Sequence, residues 1–122
     1  MGVEEAKRDE CGFTLREEDV DRLLNRSVID RVELFSTLGN ETRYRILLVL
    51  TEASDPVCGC ELEPYFDVGQ SSISQALTRL HRAGLVTRTK DGRWRYYEPT
   101  ATGERLVGLV EDGLDGEPLI AD

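Results

Sequence analysis

The segment "VGQSSISQALTRLHRAGLVTRTKDGRWRYYEPT", residues 68–100, restricts the possible folds more than any other part of the chain. Ile73, Ala76, Leu77 and Leu80 recur at helical spacing, and Gly84 is placed to stop the helix. The opposite face carries Ser71, Ser74, Gln75, Thr78 and Arg79, all polar and mostly small. Alternation then sets in around Asp91-Gly92, a two-residue hairpin signal. An amphipathic helix that runs directly into a hairpin predicts a mainly α fold with a β-hairpin wing.

The preceding residues supply the rest of that fold. Residues 1–15 are polar and without a period, which predicts a flexible N-terminal arm. From Glu17, the positions Val20, Leu23, Leu24, Val28, Val32, Leu34, Phe35 and Leu38 follow helical spacing as far as Gly39, as two helices or one broken one. Asn40 is an N-cap for the most apolar helix, with Tyr44, Ile46, Leu47, Leu48 and Leu50 expected inside. Leu62, Tyr65 and Phe66 predict a short packed helix limited by Pro64, and residues 67–70 a tight turn. A last helix is expected over about 101–111, and 113–122 as a flexible tail.

A short helix, a turn containing glycine and a second helix with a polar outer face are the parts of a helix-turn-helix, which the hairpin makes winged. Residues 16–112 are therefore expected to form one winged helix-turn-helix domain with extra N- and C-terminal helices. The apolar stripes over Val20 to Leu38 and Leu106 to Val110 exceed what so small a domain covers alone, which predicts a homodimer.

The net charge of −9 argues against nucleic acid until its distribution is considered. Ser71 to Tyr97 holds six basic residues and one acid, so a segment of +5 sits on a body of −14. Only two of the 15 basic residues are lysines, and such an acidic body resembles proteins adapted to high salt. The basic segment suits double-stranded DNA. Gln70, Ser71, Ser72, Ser74, Gln75, Thr78 and Arg79 provide groups that bond base edges or phosphate. Arg88, Lys90, Arg93 and Arg95 on the wing would hold flanking phosphate. Trp94, Tyr96 and Tyr97 read as aromatics packed against the body, and His81 as a surface residue with no assigned role.

No apolar run approaches the roughly 18 residues of a membrane span, and "MGVEEAKRDECG" has no signal-peptide pattern, so a cytoplasmic protein is expected. A reducing compartment disfavours disulfides, which leaves Cys11, Cys58 and Cys60 as free, buried or metal-binding thiols. Cys58 and Cys60 read equally as small buried hydrophobes, and Cys11 equally as an exposed thiol. A dithiol oxidoreductase fits poorly, because the pair is Cys-x-Cys without strand–helix alternation around it. Neither an enzyme nor an organic cofactor is expected.

"LFSTLGNETRYRILLVL", "VGQSSISQALTRLHRAGLV" and "DGRWRYY" resemble, in order and spacing, the winged-helix repressors of the arsenic-repressor (ArsR-type) family over roughly residues 30–100. The resemblance implies a homodimer paired through its terminal helices, Ser71 to Ala83 as recognition helix, and Asp91-Gly92 as wing tip. In that family a Cys-x-Cys pair just ahead of the helix-turn-helix binds arsenite or another soft ion, and Cys58 and Cys60 in "VCGCEL" occupy that place. The implied function is a metalloid-responsive repressor released from operator DNA by As(III) or Sb(III). The alternative is a winged-helix regulator without metal, sensing oxidation through the same thiols.

Thiolates favour soft ions, and three of them suit a pyramidal As(III) or Sb(III) centre. Cys11 stands as a third ligand from the same subunit or its partner. Residues two apart on an ideal helix point roughly 200° apart, so Cys58 and Cys60 can share one ion only if their segment unwinds or starts non-helical. "TATGERLVGLVEDG" contains no His, so the zinc site that some relatives carry on this helix is not expected.

Overall fold

A computed structural model describes residues 14–115. The expected arm, including Cys11, and the expected tail lie largely or wholly outside the described residues. Three helices come first: α1 (Glu17–Asn25), α2 (Ile29–Leu38) and α3 (Glu41–Glu52). There follow strand β1 (Val57–Cys58), the one-turn helix α4 (Gly59–Leu62), a 3-10 turn (Glu63–Tyr65), α5 (Gln70–Arg82), β2 (Val86–Asp91), β3 (Trp94–Pro99) and α6 (Ala101–Asp115). This is a winged helix-turn-helix flanked by N- and C-terminal helices.

The apolar run thus forms two helices, α1 and α2. Asn40 caps α3 as its sequence position requires, its side chain accepting from the Arg43 backbone N–H at 3.0 Å. α5 ends in a Schellman motif: Gly84, at φ +78°, donates to His81 O while Leu85 donates to Leu80 O. That stop turns the chain directly into β2. Thr100 then starts α6, its hydroxyl accepting from Gly103 N–H and donating to Gly84 O.

The core lies between α3, α5 and the sheet. Ile46, Leu47 and Leu50 of α3 meet Ile73, Ala76, Leu77 and Leu80 of α5, with Leu62, Leu85, Val86, Tyr97 and Val107 closing the cluster. The inward face predicted for α5 is fully buried. Tyr44 and Leu48 are only half-buried, because α3 faces α6 and open solvent on those sides. Tyr44 uses its hydroxyl there to donate to Glu111 of α6 at 2.9 Å, and burial followed by that bond pushes its phenol up to about 12.

The structure corrects several details. The wing is not a two-stranded hairpin but part of a three-stranded antiparallel sheet ordered β1-β3-β2, since Val57 and Cys58 pair with Tyr97 and Tyr96. Because Asp91 pairs with Trp94, the two loop residues are Gly92 and Arg93, one position beyond those expected. Among non-glycine residues described none has positive φ, so of the two loop residues only Gly92 (φ +64°) has it, the pattern of a type II′ turn. Tyr65 points away from the core and is 85 % exposed, because Pro64 tightens the helix into a 3-10 turn that keeps only Leu62 and Phe66 inward. Trp94 is also exposed: it begins β3 at the wing tip, beyond the core, where the Arg93 guanidinium stacks over its ring at 5.2 Å. His81 is half-buried, its Nδ1 3.2 Å from Val86 O, where the imidazole in its Nδ1–H form ties α5 to β2. Finally, α6 extends to Asp115 rather than ending near 111, as Leu114 continues the spacing of Val107 and Val110 through Gly113.

Candidate nucleic-acid interface and thiol site

The expected reading residues converge on one side of the domain. Gln70, Ser71, Ser72, Ser74 and Gln75 are exposed along the first two turns of α5, and Thr78 and Arg79 are half-buried beyond them. Thr78 donates its hydroxyl to Ser74 O at 3.0 Å, leaving its oxygen as an acceptor. These side chains line a cleft of about 940 Å³ that runs between α5 and the start of α3.

The opposite wall adds residues that the sequence reading missed: Asn40, Thr42 and Arg43, with Arg82 at the far end. Arg43 donates from its Nε to Thr37 O at 2.7 Å, so its guanidinium closes the end of α2. Partial burial, and then the charge of Arg79, lower its pKa from the ordinary value. Two like charges face one cleft. The signal in sequence was the basic residue three positions after the N-cap, where an acidic residue is the usual occupant.

Arg88, Lys90, Arg93 and Arg95 are exposed on the wing. The register sets Arg88 opposite Tyr97 and Lys90 opposite Arg95, so the three cations share the sheet face that Tyr97 turns inward. None of the four wing cations pairs with a carboxylate among the described residues.

Cys58 and Cys60 lie where this wing meets the base of α5. Cys58 is buried and Cys60 exposed, yet their sulfurs are 2.7 Å apart. The geometry resolves the helical-spacing problem without unwinding: Cys58 is extended (φ −77°, ψ 141°) and serves as the N-cap of α4, so its side chain turns back over the first turn, where Cys60 sits. Its Sγ accepts from the Cys60 backbone N–H at 3.4 Å. Glu61 completes a capping box, accepting from the Cys58 backbone N–H at 2.7 Å.

The Cys60 thiol is held above its ordinary pKa, first by its bond with Cys58, then by burial and the negative charge that Cys58 and Glu61 bring. Two soft donors thus converge at one point. Among the described residues no set of three or more His, Cys, Asp or Glu converges as a closed metal site. Cys11, the expected third ligand, lies outside them.

The thiol pair opens into a second cleft, of about 440 Å³, whose other walls are Gln70 and Ser74 of α5 and Lys90, Arg93, Trp94 and Arg95 of the wing. Between the cysteines, Gly59 packs against α5. A Cβ there would lie 3.2 Å from Leu77 Cδ1 and 3.9 Å from Gln70 Nε2. The two thiols and α5 are separated by one residue.

The chain is similar to known proteins in sequence and in fold. Residues 40–88 match the family model described as "Bacterial regulatory protein, arsR family". A Halobacterium salinarum protein named "Putative arsenical resistance operon repressor ArsR2" is 52 % identical over 81 residues, covering 66 % of this chain and 68 % of that one. The arsenical resistance operon repressor of Escherichia coli is 38 % identical over 66 residues, covering 54 % of this chain and 56 % of its own. In fold, the homodimeric winged helix-turn-helix DNA-binding domain Mb0332 of Mycobacterium bovis superposes with a TM-score of 0.66 at 20 % identity, covering 87 % of this chain and 94 % of that one.

Proposed function

The chain belongs to the ArsR family of winged helix-turn-helix transcriptional regulators, a family without enzymatic activity, and from that premise we propose that it is an arsenic-responsive repressor. It binds operator DNA as a homodimer and leaves it when As(III) or Sb(III) is taken up by Cys58 and Cys60. The observation that carries this reading is the convergence of the two sulfurs at the foot of the reading helix. The arsenical resistance named for its relatives supports the choice of ion.

DNA recognition divides between two elements. Gln70, Ser71, Ser72, Ser74, Gln75, Thr78 and Arg79 on α5 enter the major groove, where Gln suits an adenine edge and Arg a guanine or a phosphate. Arg88, Lys90, Arg93 and Arg95 hold the backbone to either side, with Arg43 and Arg82 extending that grip along the large cleft. The acidic body contributes repulsion that confines contact to this face, as in a protein suited to high salt.

Dimerisation is supported by apolar surface that the single chain leaves bare. α1 buries no residue at all, and Leu24, Ile29, Phe35 and Leu109 are each 65 % exposed or more. Exposed apolar side chains of this kind on the terminal helices are what a second copy covers.

The soft-ion chemistry follows from the donors. Two thiols that already converge bind a thiophilic ion without refolding, and Cys11 is one source of the third donor. When bound, the ion supplies a bond to each sulfur and thereby fixes their separation. Cys58 also caps α4, and Gly59 touches Leu77, so a change in sulfur position reaches α5 directly. No helix among the described residues is long and apolar enough to cross a membrane. The oxidation-sensing alternative would use the same two thiols, and the arsenical resistance named for the relatives favours the soft ion over it.

A mobility shift on the DNA upstream of the protein's own gene, titrated with As(III), Sb(III), Cd(II) and Zn(II), tests this function. Specific binding released by As(III) or Sb(III) is expected, and a specific complex indifferent to every soft ion would reduce the protein to a regulator with buried cysteines.

A further inference from the structure

The 440 Å³ cleft over Cys58 and Cys60 is much larger than an ion, and its far wall is cationic. Lys90 and Arg95 are directly opposed across β2 and β3, a like-charge pair that is unfavourable unless an anion lies between or above them. Arg93 stands beside them at the wing tip, stacked on Trp94. No carboxylate among the described residues answers these three charges. Among the described residues two thiols line the cleft, whereas As(III) takes three sulfur donors.

We propose that the ligand of this cleft is As(III) already carrying one small anionic thiolate, whose carboxylates sit against Lys90, Arg93 and Arg95. This rests on the arsenic-responsive reading and specifies its ligand. Uptake is a ligand exchange with no change of oxidation state: RS–As(OH)₂ reacts with the two thiols, two S–As bonds form, two As–OH bonds break, and the thiol protons leave in two waters. The third sulfur stays that of the small molecule. Because the same cations hold operator phosphate, the bound carboxylates compete with DNA for them, and this contributes to release.

The test uses the full-length protein without DNA and reads the fluorescence of Trp94, the only tryptophan in the chain, which lines the cleft. As(III) is titrated at low ionic strength in the presence of mercaptosuccinate, an acidic thiol, or cysteamine, a basic one, at matched concentrations. Apparent As(III) affinity about tenfold higher with mercaptosuccinate is expected for a dianion facing three partly exposed cations. That preference should vanish in the Lys90→Gln, Arg93→Gln double variant. Native mass spectrometry should find arsenic plus one mercaptosuccinate per chain, and neither in Cys58→Ser. Binding of equal strength with both thiols, with arsenic alone retained in the mass, overturns the proposal and leaves the third donor to the chain itself. Absence of arsenic binding with either thiol overturns the proposal together with the arsenic-responsive reading beneath it.

Discussion

Gly59 and Leu77 are in contact: a Cβ added to Gly59 would stand 3.2 Å from Leu77 Cδ1, tighter than ordinary packing. One residue therefore links the thiol pair on either side of it to the buried face of the reading helix.

Replacing that glycine should expose the link. Gly59→Ala forces Leu77 to give by a few tenths of an ångström, at a cost of about 1 kcal/mol, and tilts α5 from its seat. We expect a melting temperature lower by several degrees, about 4–8 °C for a domain near this size, and weaker operator binding before any arsenite is added. The release by arsenite should shrink, because part of the displacement is already present. Thermal denaturation beside operator titrations with and without As(III) checks this, and an undiminished response in the folded variant would show that the signal travels another way.

Gly103 is a different case, one of backbone against backbone. Its Cβ would lie 2.4 Å from Leu85 O, and the carbonyl has no rotamer by which to move aside. Gly103→Ala gains helix propensity yet should destabilise the fold by roughly 1–3 kcal/mol, as overpacking does, by lifting α6 from the wing. Urea denaturation measures the loss, and a neutral or stabilised variant would contradict the placement of α6.

On DNA, Gln75→Ala should relax sequence preference, whereas Arg93→Ala should weaken specific and random sites alike and flatten the salt slope by about one. Binding to operator and scrambled DNA over a salt series separates the two. Identical effects of both changes on both DNAs would contradict a division between base reading and phosphate contact.

The pH dependence of ion uptake follows from the raised Cys60 pKa. Below the ordinary thiol value this sulfur is protonated, so a divalent ion must displace the proton, and affinity for Cd(II) should climb with pH throughout the neutral range. Arsenous acid differs, since its hydroxyls leave with the thiol protons as water, and its affinity should be nearly flat over the same range. Isothermal titration in buffers of different ionisation enthalpy reads the proton count. Flat Cd(II) affinity would mean that the thiols are already ionised.

How much of this was legible beforehand depended on whether the deciding contact was local. The α5 face of Ile73, Ala76, Leu77 and Leu80, its Gly84 stop and the Asn40 cap were all set by spacing and turn chemistry. Cys58 was legible as a chemical group but not as a strand residue, because a two-residue strand exists only through its pairing with Tyr96 and Tyr97 some 40 positions later. Trp94 and Tyr97 sit in the same short run, yet only Tyr97 reaches the core, a distinction set by where β3 leaves the body. Arg43 escaped notice in the cleft because its approach to Arg79 joins two helices distant in sequence.

The central claim is that Cys58 and Cys60 receive the signal that frees the DNA. Fluorescence anisotropy of labelled operator, titrated with arsenite, tests it most directly in the wild type, Cys58→Ser and Cys60→Ser. The oxygen of serine is a poor donor to a soft ion, so both variants should bind operator like the wild type and stay bound as arsenite rises, while the wild type dissociates. Full release of both variants at the wild-type arsenite concentration would contradict the account.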